Sequence, residues 1–261
     1  MSSLAIIKIG GSTIDTPGLL TELAQSVKGI CGDILTIIVH GGGKDIARQL
    51  DALNKEFTFV DGMRVTDEET VKVVQMVLSG DVNKRIVNEL LLQKIPAIGI
   101  SGVDGGLFTA SKMLSKSGQD IGFVGDIESV NNDIIWGLFE AGYIPIISPV
   151  SRGIDGALYN VNADLAAGEL AMALAAEDLV FISDVPGVLI GGEVRKVIRI
   201  SEIEDLITNG DITGGMIPKL RSAADAVKKG VKRVHICGWN GSCTLAYELS
   251  ENRATGTVIQ A

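Results

Sequence analysis

The sequence predicts an α/β protein, a three-layer αβα sandwich with a mostly parallel central sheet. Its short apolar runs are continuous rather than alternating, as in strands covered on both faces. Helical patterns lie between these runs, and strands alternating with helices build parallel sheets.

The first run, Leu4–Ile9, precedes a helical pattern with Leu19, Leu20, Leu23, Ala24 and Val27 on one face. Thr16 and Pro17 suit its N-cap and first position. The second run, Ile34–Val39, ends in a glycine loop that opens another helix. Asp67 or Thr66 suits the cap of a helix through Val71, Val74, Met76, Val77 and Leu78, and a further helix covers Val82–Gln93. Ala97–Ile100, Tyr143–Ile147, Leu179–Ile182 and Arg233–Cys237 read as more buried strands. Helices are expected over Asn132–Ala141, Ala163–Ala175, Ser201–Ile207 and Pro218–Lys229. From Ile98 to Asp126, glycines surround short β-prone pieces, which predicts a hairpin-rich excursion. No Pro/Ser-rich linker and no internal repeat divides the chain. The expectation is one folded unit, residues 1–261, with two lobes of about 1–175 and 176–261.

The 23 Lys+Arg against 32 Asp+Glu leave a formal charge of −9, which argues against nucleic-acid binding. Aromatic residues at 4% also disfavour a stacking platform for bases. Hydrophobic residues at 46% supply a large core. Glycine is 32 of 261 residues, above the usual ~7%, while Pro is only 6, so the glycines belong to turns and close-approach loops. Cys31, Cys237 and Cys243 are odd in number and form no Cys-x-x-Cys, which suggests neither a disulfide scaffold nor a zinc ribbon. A reduced, cytoplasmic location is expected, with no leader at the start and no membrane span.

Ligands of parallel sheets collect at the carboxyl ends of strands. Lys8-Ile9-Gly10-Gly11-Ser12 closes the first strand. Lys8 either contacts a phosphate or snorkels from an edge strand, and the glycines open backbone N–H groups to an anion. His40-Gly41-Gly42-Gly43-Lys44 places glycines at a helix N-terminus, either as an anion site or as a flexible turn. It matches neither the dinucleotide fingerprint nor the P-loop. Arg64, just ahead of a helix cap, is a carboxylate ligand or a solvated surface residue. Asn160-Val161-Asn162-Ala163-Asp164 carries polar groups two apart on an extended segment. Asp164 caps the next helix, or the array binds a polar substrate. Ser183-Asp184-Val185-Pro186-Gly187-Val188-Leu189 is a turn after a strand. Thr213-Gly214-Gly215-Met216-Ile217-Pro218-Lys219 leads into a helix with Lys219 in its first turn, where a cation opposes the helix dipole. That placement is easier to understand beside a bound anion. His235, Cys237 and Cys243 carry only a weak suggestion of metal ligation.

These motifs in this order, joined by Ser101-Gly102-Val103-Asp104-Gly105-Gly106 and Gly122-Phe123-Val124-Gly125-Asp126, resemble the amino-acid kinase family. Within it they resemble the branch that phosphorylates N-acetyl-L-glutamate. The resemblance runs from Ile6 to Gly256-Thr257. It implies ATP-dependent transfer of a phosphoryl group to the side-chain carboxylate, in arginine biosynthesis, with Mg²⁺ as the accompanying ion. By that resemblance Lys8 and Lys219 stabilise the transferring group and Asp164 orients them. Gly42, Gly43, Arg64, Asn160 and Asn162 match substrate-binding positions. Gly10 and Gly11, Asp184 to Leu189 (Val185, Pro186, Gly187 and Val188 between them), and Asp211, Ile212 and Thr213 match the nucleotide site. The N-terminal lobe would bind the acyl acceptor and dimerise, and the C-terminal lobe would bind ATP.

A carboxylate nucleophile with a pKa of about 4.3 is ionised at pH 7, so no general base is needed. This agrees with a chain holding only two histidines. Relatives acting on carrier-linked aminoadipate or glutamate share part of the pattern, as does a non-catalytic sensor. Retention of Lys8, Asp164 and Lys219 together argues against the sensor. Seven residues precede Lys8, too few for the helix that links arginine-inhibited relatives into hexamers, so a homodimer without that control is expected. No protein ligand is assigned to the metal, which commonly rides on phosphates and water.

Overall fold

Strand β1 (Ser3–Ile9) sends alternate side chains into two separate cores: Leu4 and Ile6 into one, Ile7 and Ile9 into the other. A strand apolar on both faces needs cover on both, and the computed structural model supplies it. It describes residues 3–11, 16, 18–242, 244–250 and 253–261. Ser12, Pro17 and Cys243 therefore lie outside the described residues.

After β1 come α1 (Leu19–Lys28), β2 (Ile34–His40) and α2 (Gly43–Ala52). Strands β3 (Phe59–Val60) and β4 (Met63–Arg64) join through Asp61 and Gly62, both at positive φ, as tight hairpins favour. Helix α3 (Glu68–Gln75) continues through a π-helical stretch, Met76–Val82, into α4 (Asn83–Leu92). Next are β5 (Ala97–Ser101), β6 (Phe108–Leu114), β7 (Asp120–Val130) and α5 (Asn132–Glu140). Strands β8 (Ile144–Ser148), β9 (Val150–Gly153) and β10 (Leu158–Val161) lead to α6 (Ala163–Ala173). The rest of the chain forms β11 (Asp178–Ser183), β12 (Leu189–Ile190), β13 (Glu193–Val194), β14 (Val197–Arg199) and α7 (Ile203–Thr208). It closes with α8 (Met216–Lys228), β15 (Arg233–Gly238), α9 (Thr244–Glu248) and β16 (Thr257–Gln260).

Among the described residues the central sheet has eight strands in the order β14-β16-β15-β11-β1-β2-β8-β5. Every pairing in it is parallel except β15 with β16. One face is covered by α6 and α8 through Leu170 and Leu220, the other by α1, α2 and α4 through Leu23, Leu50 and Ile86. This is the predicted sandwich. Strand β1 joins β2 on one side and β11 on the other, so the residues before and after position 175 share one continuous sheet.

Some expectations need correction. Helix α1 starts at Leu19 with Gly18 at the N-cap, at φ 85, rather than with Thr16 there. Thr16 instead lends its carbonyl oxygen to Leu19 N. The two helices expected around residues 67–93 are one run, because the π-helical turn absorbs Ser79 and Gly80 without ending it. The hairpin excursion begins after β5 and reaches Val161: β6, β7, β9 and β10 close into a four-stranded barrel. Strands β14 and β16, which carry the sheet past β15, were not anticipated.

Gly122 fastens the barrel to the β3–β4 hairpin. It bridges Thr66, sits at φ +81, and a Cβ there would come within 2.1 Å of Thr66 O. The next helix is capped by Asp67, whose Oδ1 accepts from Thr70 N at 2.7 Å. Asp67→Ala is expected to cost about 1 kcal/mol of stability. Urea unfolding should show a lower midpoint with an unchanged slope, and Asp67→Asn, which can still cap, should recover most of the loss.

Candidate active site

A cavity of about 640 Å³ opens at the carboxyl ends of β1, β2 and β11, in the size range of small-molecule sites. Lys8, Gly10, Gly11, Gly42, Gly43, Arg64, Asn160, Asn162, Asp164, Asp184 and Lys219 all line it. Residues more than 200 positions apart in sequence thus meet in one place because parallel strands bring their ends together.

Lys8 occupies an inward position of β1, opposite Val39 and Phe181 of its two neighbours. The strand is interior, so the edge-strand snorkelling reading does not hold. Its Nζ lies 2.7 Å from Asp164 Oδ1, and Lys219 Nζ lies 3.9 Å from Asp164 Oδ2. Among the described residues Asp164 Oδ1 has no hydrogen-bond partner, so its link to Lys8 is a charge contact. The side chains are 14%, 18% and 32% exposed for Lys8, Lys219 and Asp164, enough burial for low screening. Burial holds the Lys219 ammonium below the usual lysine range; Asp164 opposes that shift and the Lys8 charge adds to it. The lining carries Lys8, Lys44, Arg64 and Lys219 against Asp164 and Asp184, which leaves a net positive site fit for an anion.

Asp164 does not cap its helix. Asn162 does, with Oδ1 accepting from Asp164 N at 2.8 Å and Leu165 N at 3.2 Å. The cap fixes α6 and leaves the Asp164 carboxylate for the two lysines. On the other side, α8 begins at Met216 after Gly215, with no side-chain cap, and puts Lys219 in its first turn.

The glycine loop after β2 is held from below by His40. A carbonyl oxygen only accepts, so His40 Nδ1 donates to Gly41 O at 2.9 Å. Nε2 then accepts from Asn83 Nδ2 at 3.1 Å, and the same amide donates to Ile146 O at 3.0 Å. Burial pushes the His40 pKa from 6.5 down to about 4; the Gly41 contact resists this and Lys84 and Arg85 add to it. A Cβ on Gly42 would approach Leu78 Cδ2 to 2.6 Å, so a side chain there would have to push that leucine aside.

Arg64 is buried at 7% exposure, not a solvated surface residue. It donates from Nη2 to Gly43 O at 3.1 Å, and Asn160 Nδ2 donates to Thr66 Oγ1 at 3.3 Å. Val185, Pro186, Gly187, Val188 and Leu189 continue beyond Asp184, outside the lining of this cavity, as do Asp211, Ile212 and Thr213 ahead of α8. Val188 N donates to Thr257 Oγ1 at 2.8 Å, which ties that turn to β16. His235 is engaged away from this cavity, its Nε2 2.8 Å from Asp178 Oδ1.

Among the described residues no three His, Cys, Asp or Glu side chains gather as a metal cage. Two carboxylates, Asp164 and Asp184, do line the cavity, a donor set suited to a hard cation carried mainly by a ligand's own oxygens. Sequence reasoning missed Phe57 and Phe59, which also line the cavity. The available signal was their spacing of two ahead of the Asp61-Gly62 turn, which puts both rings on one side of an extended segment.

Residues 3–238 match the amino acid kinase family, and the chain belongs to that family. Among its relatives is the acetylglutamate kinase of Methylobacillus flagellatus, 40% identical, with 98% of this chain and 90% of that one covered. The acetylglutamate kinase of Methanopyrus kandleri is 41% identical over 91% of this chain and 96% of its own. In solved structures, smu.665 from Streptococcus mutans superposes with a TM-score of 0.82 at 30% identity, covering 100% of both chains.

His40 gives the fold a pH dependence with a definite sign. The unfolded chain takes up a proton below pH 6.5, the folded one only near pH 4, so stability falls as pH drops through that window. The full effect is about 3 kcal/mol. In His40→Asn this component disappears, and urea unfolding at pH 7 and pH 5 should show a smaller loss than in the parent. Equal losses would mean that His40 is not held neutral.

Proposed function

We propose that this protein transfers the γ-phosphoryl group of ATP to the side-chain carboxylate of N-acetyl-L-glutamate, giving N-acetylglutamyl 5-phosphate in arginine biosynthesis. The reading rests above all on one observation: the Lys8–Asp164–Lys219 cluster and Arg64 line the same cavity. The relatives' activity agrees with it.

The chemistry asks little of proton transfer. The acceptor carboxylate is already ionised and attacks the γ-phosphorus; the bond to the β–γ bridging oxygen breaks, and ADP leaves with the electron pair. The obstacle is repulsion between a carboxylate and a triphosphate, so catalysis is positioning and charge stabilisation. Lys8 and Lys219 face the transferring group, and Asp164 holds the two ammonium groups together against their mutual repulsion. Backbone N–H groups of Gly10 and Gly11 and of the Gly42–Gly43 loop receive phosphate and acceptor oxygens. Arg64, Asn160 and Asn162 bind the acceptor. Asp184 to Leu189 and Asp211 to Thr213 hold the nucleotide, the latter pair of segments belonging to the lobe after residue 175. Mg²⁺ bound through the phosphates, near Asp164 and Asp184, would neutralise further charge.

We also propose a cytoplasmic homodimer joined through the N-terminal lobe. Its support is apolar side chains left exposed on elements near edge strand β5 and its neighbour β8: Leu91 and Leu92 at the end of α4, Trp136 on α5 and Tyr143 just before β8 are each at least 37% exposed.

A coupled ADP-release assay with N-acetylglutamate, glutamate and a carrier-linked acceptor tests the substrate. Turnover with free N-acetylglutamate is expected; turnover confined to another acceptor would sink the reading. Lys8→Met and Lys219→Met should each lower kcat by about 10²–10³ with a much smaller effect on folding. Near-normal turnover in either folded variant would remove that lysine from the chemistry.

A further inference from the structure

Arg64 is 7% exposed, yet among the described residues no carboxylate comes within ion-pairing distance of it. Buried arginines normally pair. Nη2 has Gly43 O, but Nη1 is buried without a hydrogen-bond partner among the described residues. Two aromatic rings take the place of a counter-ion. The Arg64 guanidinium carbon lies 4.0 Å from the Phe57 ring centre and 4.8 Å from that of Phe59. The rings stand edge to face, 85° apart, with centres 5.9 Å from each other.

The backbone explains how this pocket forms. Phe59 and Arg64 are direct partners across the β3–β4 hairpin, so their side chains share a face. Phe57, two residues ahead of Phe59, also lays its ring against the Arg64 guanidinium. A carboxylate partner would consume donors and cancel the charge. A ring face does neither: it stabilises the cation through its quadrupole and leaves the N–H groups unspent.

We infer that Phe57 and Phe59 act as an aromatic clamp that sets acceptor specificity. They hold Arg64 charged, oriented and unpaired, so that it binds the acceptor's α-carboxylate, the one that is not phosphorylated. The inference rests on the function proposed above, Arg64's hold on the acceptor carboxylate included, and adds to it two positioning residues.

The test pairs two acceptors with a double-mutant cycle in the full-length enzyme. Phe57→Leu and Phe59→Leu keep apolar bulk and lose the ring face. Each should raise the KM for N-acetylglutamate about 3- to 10-fold, with a much smaller effect on the KM for ATP, which also reports on folding. Phe57→Tyr and Phe59→Tyr, which keep the ring, should recover most of the loss. In an Arg64→Met background the leucine changes should have no further effect. With 4-acetamidobutyrate, which keeps the acetamide and the reacting carboxylate but lacks the α-carboxylate, kcat/KM should be the same for parent and leucine variants. Equal leucine penalties with both acceptors, or undiminished penalties in the Arg64→Met background, would overturn the clamp alone. A parent enzyme inert toward N-acetylglutamate would overturn the functional reading and the clamp with it.

Discussion

Two ammonium groups and one carboxylate, at the end of a fully covered strand, form the contact around which the rest of the cavity is arranged. Lys8 and Lys219 come from segments more than 200 residues apart, and Asp164 is the group that both of them approach. Partly buried like charges repel strongly where screening is low. Asp164 offsets that repulsion without abolishing the positive field, because two charges meet one. Removing Asp164 would leave two half-buried cations facing each other, a larger cost than losing a surface ion pair. The arrangement is therefore under electrostatic tension until an anion arrives, which is how a phosphoryl-transfer site should be poised.

The surroundings keep this contact in register. Strand β1 cannot slide, since parallel ladders to β2 and β11 fix Lys8 opposite Val39 and Phe181. Asn162 caps α6 and so fixes where Asp164 emerges. The glycine-loop side of the cavity is fixed differently. His40 and Asn83 pin the glycine loop through neutral hydrogen bonds, and the π-helical stretch presents Leu78 and Val82 against Gly42. A neutral histidine beneath an anion site is a sensible choice, because its geometry does not change with pH above its lowered pKa of about 4.

Much of this was legible in the residues, and the failures have physical causes. Buried parallel strands such as Ile34–His40 announce themselves as unbroken apolar runs, so their positions were read closely. Lys8 stood out because a lysine in such a run needs a partner. Helix ends were harder. Thr16 is a good cap by type, but the chain places Gly18 there, and Asp164 looks like a cap when Asn162, two residues earlier, takes that role. Local propensity cannot choose between neighbouring cap residues when tertiary contacts claim one of them. The Asp61-Gly62 hairpin was signalled by its dipeptide and overlooked beside the motif that follows it. Strand β16 is short and reads as a tail; only its pairing between β15 and β14 makes it part of the sheet. Barrel closure depends on long-range pairing, which composition and periodicity do not encode, whereas the Arg64 aromatic contacts are local to the overlooked hairpin.

One apparent conflict resolves on distance. The chain carries a formal charge of −9, yet its cavity is built for anionic ligands. At physiological ionic strength exposed charges are screened beyond about 8 Å. The acidic surplus is spread over the surface, where that screening acts. Lys8 and Lys219 are 14% and 18% exposed and line the cavity itself, so their field there is much less attenuated. The surface charge then governs solubility and slows the distant approach of anions somewhat. The local cluster decides what binds, and its strength depends on keeping water and counter-ions out of the space between β1, α6 and α8.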